Sequence, residues 1–366
     1  MNGRERFLTA LSNQKPDRLP CQVHSWLPYY LERHLNGMDQ YEAYEYFEMD
    51  PVIYIDPIAK YDDKDLANWQ IEWRDLGENH DGSQKWESTI VTPEGNLFQK
   101  GGNNTYTGWI NEHLIKNADD FEIWNKYYPR PVSFDWSNVI EAKKRIGNDG
   151  IIRGAFYDFG QGSPWQSFQS CLMGTEEAIM ACYDDPDWVH YVMKTLLNRK
   201  LDAMELSGNQ EHDLIECGGG GGSSTVISPD LHREFCLPYD KKQIEAFHSM
   251  GTKVTYHLCG GLMPMLEIVA ENGADALETM TPAAMGGDCR LDEATKRVGD
   301  KLAFIGGFDQ NAGFEKGNPE VIRKMVSELH AACPDGGYIC CPSDHFFEGS
   351  IENIKEFVKA CSECKY

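Results

Sequence analysis

Residues Thr252-Lys253-Val254-Thr255-Tyr256-His257-Leu258-Cys259-Gly260-Gly261 decide how this chain reads. A short β-branched run ends in a histidine and a cysteine, and two glycines lead into a helical segment at 261–272. The next apolar run, Ala274–Glu278, follows at once. Continuous apolar runs separated by helices are the pattern of buried parallel strands in βα units.

Working outward, the same unit recurs. Runs at Gly150–Phe156, Asp213–Cys217, Lys301–Gly306 and Gly337–Cys341 alternate with helical segments at Pro186–Met204, Pro229–Met250 and Asn318–Ala332. Pro51–Asp56 adds one more strand upstream. A doubly wound dinucleotide fold should show G-x-G-x-x-G after its first strand and an acid about 20 residues on, and neither is present. The expectation is an α/β fold, a distorted (β/α)8 TIM barrel. One domain covers 1–366, with main barrel units at 131–366. Residues 1–130 read as an N-terminal extension over the barrel, an opening helix (Gly3–Ser12) followed by irregular and antiparallel structure, with strand pieces at Ser88–Thr92 and Asn96–Gln99. No internal repeat or low-complexity linker interrupts the chain.

Composition narrows the function classes. Of 366 residues, 58 are acidic and 34 basic, a formal net charge of −24. Phosphate-backbone binding runs on clustered Lys and Arg, so no nucleic acid partner is expected. No apolar run approaches the roughly 20 residues of a membrane span, and Met1–Lys15 reads as a polar helix start rather than a signal peptide. The expected location is cytoplasmic. The 12 cysteines are then reduced thiols, most of them small buried apolar groups. Cys361 and Cys364 have ligand spacing but lie in the last helix with no second pair nearby, and they read as structural.

In a barrel the working residues lie at the C-terminal ends of the strands. That rule selects Glu216 before the run Gly218–Gly222, then His257 with Cys259, then Asp309, and last Cys340, Cys341, Asp344 and His345. Residues two apart on a strand face one side, so His257 and Cys259 aim at one point. A late thiol, Cys341 or alternatively Cys340, would complete a Cys2His set with one open position, the mark of a catalytic zinc. The competing reading is a satisfied core histidine among buried thiols, and the second thiol pair at another strand end favours metal. Glu216 is a possible fourth ligand, and Glu216 and Asp309 are candidates for proton management. His24, Trp26, Tyr29 and Tyr30, with Tyr157, Asp158 and Trp165, read either as core or as substrate contacts. The glycine run reads as a surface turn or as a place where a flat ligand approaches the backbone.

These features resemble the uroporphyrinogen decarboxylase superfamily, which includes zinc-dependent, corrinoid-linked methyltransferases. Gly3–Phe7 with Lys15–Pro20 is similar to its N-terminal signature, and Ile227–Pro229, Phe235–Tyr239, Tyr256–Gly261, Ile305–Asp309 and Gly336–Ile339 continue the likeness in order. The resemblance implies a distorted (β/α)8 barrel. The decarboxylases carry arginines after the opening helix that bind substrate carboxylates. Here Cys21–Tyr30 holds none, and the family's decarboxylase aspartate corresponds to Asp56. The methyltransferase branch is marked by His-x-Cys and a distal thiol. In its coenzyme M members that thiol follows Pro-Gly, whereas here Cys340 and Cys341 precede Pro342-Ser343. The resemblance therefore implies zinc and a methyl transfer from a small donor, a methoxylated aromatic first, to cobalamin. No Asp-x-His-x-x-Gly motif is present, so the cobalamin comes on a separate corrinoid protein, in an anaerobic cytoplasm. A thiol methyltransferase of the coenzyme M type, a metal-free decarboxylase and a non-catalytic zinc or corrinoid carrier are the alternatives.

Overall fold

The computed structural model describes residues 1–155, 159, 162–208 and 210–366. Seven strands form one parallel sheet: β1 (Val52–Tyr54), β2 (Ile151–Gly154), β3 (Leu214–Gly218), β4 (Lys253–His257), β5 (Ala276–Thr279), β6 (Ala303–Phe308) and β7 (Tyr338–Pro342). Their spatial order follows the chain. Each falls on an apolar run expected from the sequence, because strands covered on both faces must be apolar throughout. Burial agrees: every residue of β2, β5 and β7 is buried.

The sheet is curled. Laid flat, β1 and β7 would stand about 29 Å apart, six strand spacings. Yet Tyr54 on β1 and His24, which follows the segment beside β7, have ring centroids 6.2 Å apart. That segment supplies the eighth position. Gln22 N donates to Cys340 O (3.0 Å) and Cys340 N to Pro20 O (2.9 Å), forming one parallel bridge at Cys21–Cys340. Pro20 has no N–H, so the ladder cannot run further back. Among the described residues the architecture is thus a mixed α/β fold whose curled parallel sheet has seven regular strands and one bridge in place of the eight strands expected, consistent with a distorted TIM-like barrel.

Helices begin where capping residues place them. Asn2 caps Gly3–Leu11 reciprocally with Glu5, and Asp185 and Asn318 cap Pro186–Ser207 and Pro319–Ala332, each with proline at the first helical position. Within the first 130 residues, Gln70–Glu78, Gln84–Thr92, Gly95–Asn103 and Gly108–Glu112 form an antiparallel sheet. Ile90 and Leu97 of that sheet share a core with Phe121, Trp124, Trp165 and the Val189, Val192, Leu196 face of Pro186–Ser207. A second core fills the space between parallel strands and helices. No helix among the described residues is long and apolar enough to cross a membrane.

Candidate functional site

Strand alternation sorts side chains between the barrel interior and its outer layer. On β4, Tyr256 points outward, its hydroxyl donating to Asp240 of helix Leu237–Ser249 at 2.5 Å, so His257 points inward. Glu216 of β3, Glu278 of β5 and Arg153 of β2 meet it there. One ligand-capable atom from each of His24, Glu216, His257 and Glu278 lies within 4.8 Å of the others. His257 Nδ1 is 2.8 Å from Glu278 Oε1 and 3.6 Å from Glu216 Oε1. Arg153 Nη2 donates to Glu216 Oε2 at 2.7 Å and to Glu278 Oε1 at 2.5 Å.

The cluster opens into a cavity of about 430 Å³, whose walls include His24, Glu216, Gly218–Gly220, His257, Cys259, Asp344 and His345. Three imidazoles crowd its floor, with His24 5.2 Å from His257 and 4.7 Å from His345 between ring centroids. No lysine or arginine is among its described walls.

The electrostatics follow from burial and pairing. Burial drives His24 down to about 4; the Glu278 charge opposes this without overcoming it, and the neighbouring His257 charge adds to the lowering. Burial also opposes a charge on His257, but hydrogen bonds with Cys259 and Glu278 and the Glu216 charge raise it well above the ordinary imidazole value. Despite its own burial, Glu278 is held well below the usual carboxylate range by Arg153 and His257. The site stores opposite charges at contact distance.

Several residues chosen from the sequence gather here. Glu216 and His257 belong to the cluster, and Cys259 lines the same cavity, bonded to His257. His24 is also in the cluster, as a metal-capable imidazole that lines the same cavity. Other residues are elsewhere. Cys341 is fully buried, its thiol 3.7 Å from Gln22 Nε2 and outside the cluster. Cys340, on the opposite side of β7, joins the thiols of Cys21 and Cys361 beneath helix Ile351–Glu363. Asp309 accepts from Ala312 N (2.9 Å) and lines a separate cavity with Leu291, Met325 and Leu329. Trp26 is core, stacked on Phe47 at 5.3 Å, and Tyr30 is tied to Gly349 O. Tyr29 bonds to Glu348 and packs edge-on to Tyr106, outside the cavity walls. Asp56 accepts from Ala155 N at 2.9 Å. Its side chain keeps 45% exposure, yet crowding raises its carboxyl to about 6, with the Glu216 charge adding to the effect. Tyr157 and Asp158 lie outside the described residues.

The glycine run is explained by packing against the chain itself. A Cβ at Gly219 would lie 2.4 Å from Gln166, one at Gly220 2.5 Å from Cys259 Sγ, and one at Gly221 2.1 Å from Gln169. Trp165 donates to Gly221 O at 2.8 Å and is fully buried. Asp344 and His345, at the last strand end, line the same cavity, whereas Glu278 and Arg153 are not among the residues that the sequence singles out. Glu278 is a lone acid at the end of an identified run, and Arg153 a lone cation inside one. Either is a signal, since a buried charge needs a partner.

The uroporphyrinogen decarboxylase (URO-D) family model matches residues 160–364. The chain belongs to the uroporphyrinogen decarboxylase family. Uroporphyrinogen decarboxylase from Pseudomonas entomophila (strain L48) is 30% identical over 188 residues, covering 48% of this chain and 49% of that protein. The match thus spans about half the length of that curated relative. The family member from Hydrogenovibrio crunogenus (strain DSM 25203 / XCL-2), also named uroporphyrinogen decarboxylase, is 28% identical over 376 residues, 98% of this chain and 96% of its own. Among solved structures, a methyltransferase from Methanosarcina mazei shares the fold, with a TM-score of 0.64 over 98% of both chains at 15% identity.

Proposed function

We propose that this family member is a zinc-dependent methyltransferase that moves a methyl group from a small donor to the cobalamin of a separate corrinoid protein. One observation carries the reading: two imidazoles and two carboxylates within 4.8 Å, beside a thiol, at the floor of a cavity. The donor set fits a divalent cation. Oε2 of buried Glu278 has no hydrogen-bond partner among the described residues, and a second positive centre would balance the carboxylates that Arg153 leaves in excess. His24, Glu216 and His257 would hold zinc, with Cys259 at hand on the cavity wall. His24 takes the place first given to Cys341. A bound zinc supplies Lewis acidity toward the heteroatom that bears or receives the methyl group.

The chain's own groups do the rest. Glu278 accepts from His257 Nδ1 and so fixes the ring's direction, as outer carboxylates do for ligating histidines. Glu216, with 20% of its side chain exposed, faces the cavity while Arg153 holds its Oε2. The described walls mix polar side chains with glycine and alanine, and the volume admits a small molecule. Donors to compare are methoxylated aromatics, methylamines and thiols.

Decarboxylation of a polycarboxylate is the second reading. The Hydrogenovibrio relative and the raised Asp56 favour it. Against it, Glu216 and Asp344 would face the substrate carboxylates with no lysine or arginine among the described walls, and Arg153 is engaged by two glutamates. The test is metal analysis with an activity screen. About one zinc per chain is expected, lost in His257→Ala, with donor-dependent change of the cob(I)alamin spectrum. A zinc-free chain that decarboxylates a porphyrinogen would overturn the proposal.

A further inference from the structure

Arg153 has no role yet in the reaction proposed. It is wholly buried on β2, its guanidinium 4.6 Å from the centre of the Tyr54 ring. A buried guanidinium is costly unless its charge is met. Arginine commonly meets one carboxylate with two nitrogens. Here a single nitrogen, Nη2, serves carboxylates from two different strands, Glu216 of β3 and Glu278 of β5. Nε and Nη1 have no hydrogen-bond partner among the described residues. Glu278 Oε1 is shared in turn with His257 Nδ1, so one continuous chain runs Arg153–Glu278–His257.

We propose that Arg153 is a positioning residue of the site: it holds two like-charged carboxylates side by side and, through Glu278, sets the direction of the His257 ring. Without it, Glu216 and Glu278 would repel at contact distance and swing apart, and the ring would lose its fixed acceptor. The charge balance has a functional meaning. With His257 neutral, as a zinc ligand must be, one guanidinium against two carboxylates leaves one net negative charge. A divalent cation turns that into one net positive charge, which suits a single anionic ligand such as a thiolate or a departing oxyanion. This last step rests on the zinc reading; the coupling of Arg153 to the two glutamates does not.

The experiment uses the full chain in four forms: wild type, Arg153→Met, Glu278→Gln and the double variant, with Arg153→Lys beside them. Arg153→Met is expected to lower Tm by about 5 °C or more. Adding Glu278→Gln removes one of the two repelling charges and is expected to return much of that loss, which a packing role would not allow. Arg153→Lys keeps the charge but not the fork, so it should fold. Its zinc affinity, measured by competition with a chromogenic chelator, should fall about tenfold or more. Should Arg153→Met not accumulate folded, Arg153→Lys with and without Glu278→Gln carries the same comparison. Losses in Tm that simply add, or an Arg153→Lys chain with wild-type zinc affinity, overturn the proposal. A wild type that binds no zinc overturns the zinc reading instead, and the rescue of Tm then decides Arg153 by itself.

Discussion

Asp240 gives the sharpest quantitative prediction. It sits on helix Leu237–Ser249, wholly buried, with Oδ2 accepting from Tyr256 at 2.5 Å and Oδ1 without a hydrogen-bond partner among the described residues. The titratable groups near it are Tyr256 of β4, Lys200 of helix Pro186–Ser207, Cys217 of β3 and Cys236. Burial raises its carboxyl to about 7, against the pull of the Tyr256 hydroxyl and the Lys200 charge. An unfolded aspartate titrates near 3.9. Between those values the folded chain holds a proton that the unfolded chain has released. The contribution to stability is therefore complete below about pH 4 and is lost as pH rises through about 7. From pH 5 to pH 8 about two units of that window are crossed, or about 3 kcal/mol. Asp240→Asn keeps the volume and still accepts from Tyr256, but cannot ionise. Urea unfolding of both chains at pH 5, 6, 7 and 8, at fixed ionic strength, isolates this group, because the other carboxylates cancel in the difference. The variant should gain about 3 kcal/mol on the wild type across the series, nearly all of it below pH 7. A difference that stays flat to about 1 kcal/mol would mean that Lys200 keeps Asp240 ionised, and would refute the reasoning.

Three further outcomes are expected. Trp26→Ala, which empties a core position stacked on Phe47, should cost about 3–5 kcal/mol by urea unfolding and leave zinc stoichiometry unchanged. Arg6 is bonded to both Asp17 and Asp50, so Arg6→Met should cost about 3 kcal/mol by the same assay, and the loss should shrink as pH falls, because Arg6 holds the Asp17 carboxyl below the usual carboxylate range. Gly220→Ala places a methyl group 2.5 Å from Cys259 Sγ and should displace that thiol from His257; zinc affinity should fall about tenfold while Tm moves by no more than a few degrees.

The fold was legible because each barrel strand is short, apolar and separated from the next by a helix. The eighth position was not, because it rests on one bridge at Cys21, in a segment without strand character, closed by a contact 319 residues away in the chain. The same contact explains His24, which lies on no strand. In the sequence it reads as one aromatic among several; only the pairing of Cys21 with Cys340 carries it over the barrel floor. Cys340 and Cys341 show the complementary difficulty. Adjacent strand residues face opposite sides, so one of the two thiols points inward, and it is Cys341. Inward does not mean into the cluster: Cys341 lies against Gln22 instead. Glu278, like Glu216, is an acid at a strand end, but no cysteine or glycine run marks it in the sequence.

The interior of this barrel also argues against a purely structural role for its charges. TIM-type barrels are ordinarily filled by layers of branched apolar side chains, which stabilise without any desolvation cost. Replacing a buried ion network with apolar residues of similar volume is often neutral or stabilising. Here the space between β2, β3, β4 and β5 holds a guanidinium, two carboxylates and an imidazole instead, at the end of the barrel where a cavity reaches them. The two apolar cores supply stability without them. A network that keeps Glu278 Oε2 unbonded among the described residues and gathers four ligand-capable atoms within 4.8 Å is arranged for something that enters from the cavity. Filling it with Met, Gln and Leu should then leave a chain as stable as the wild type or more so, and unable to take up zinc.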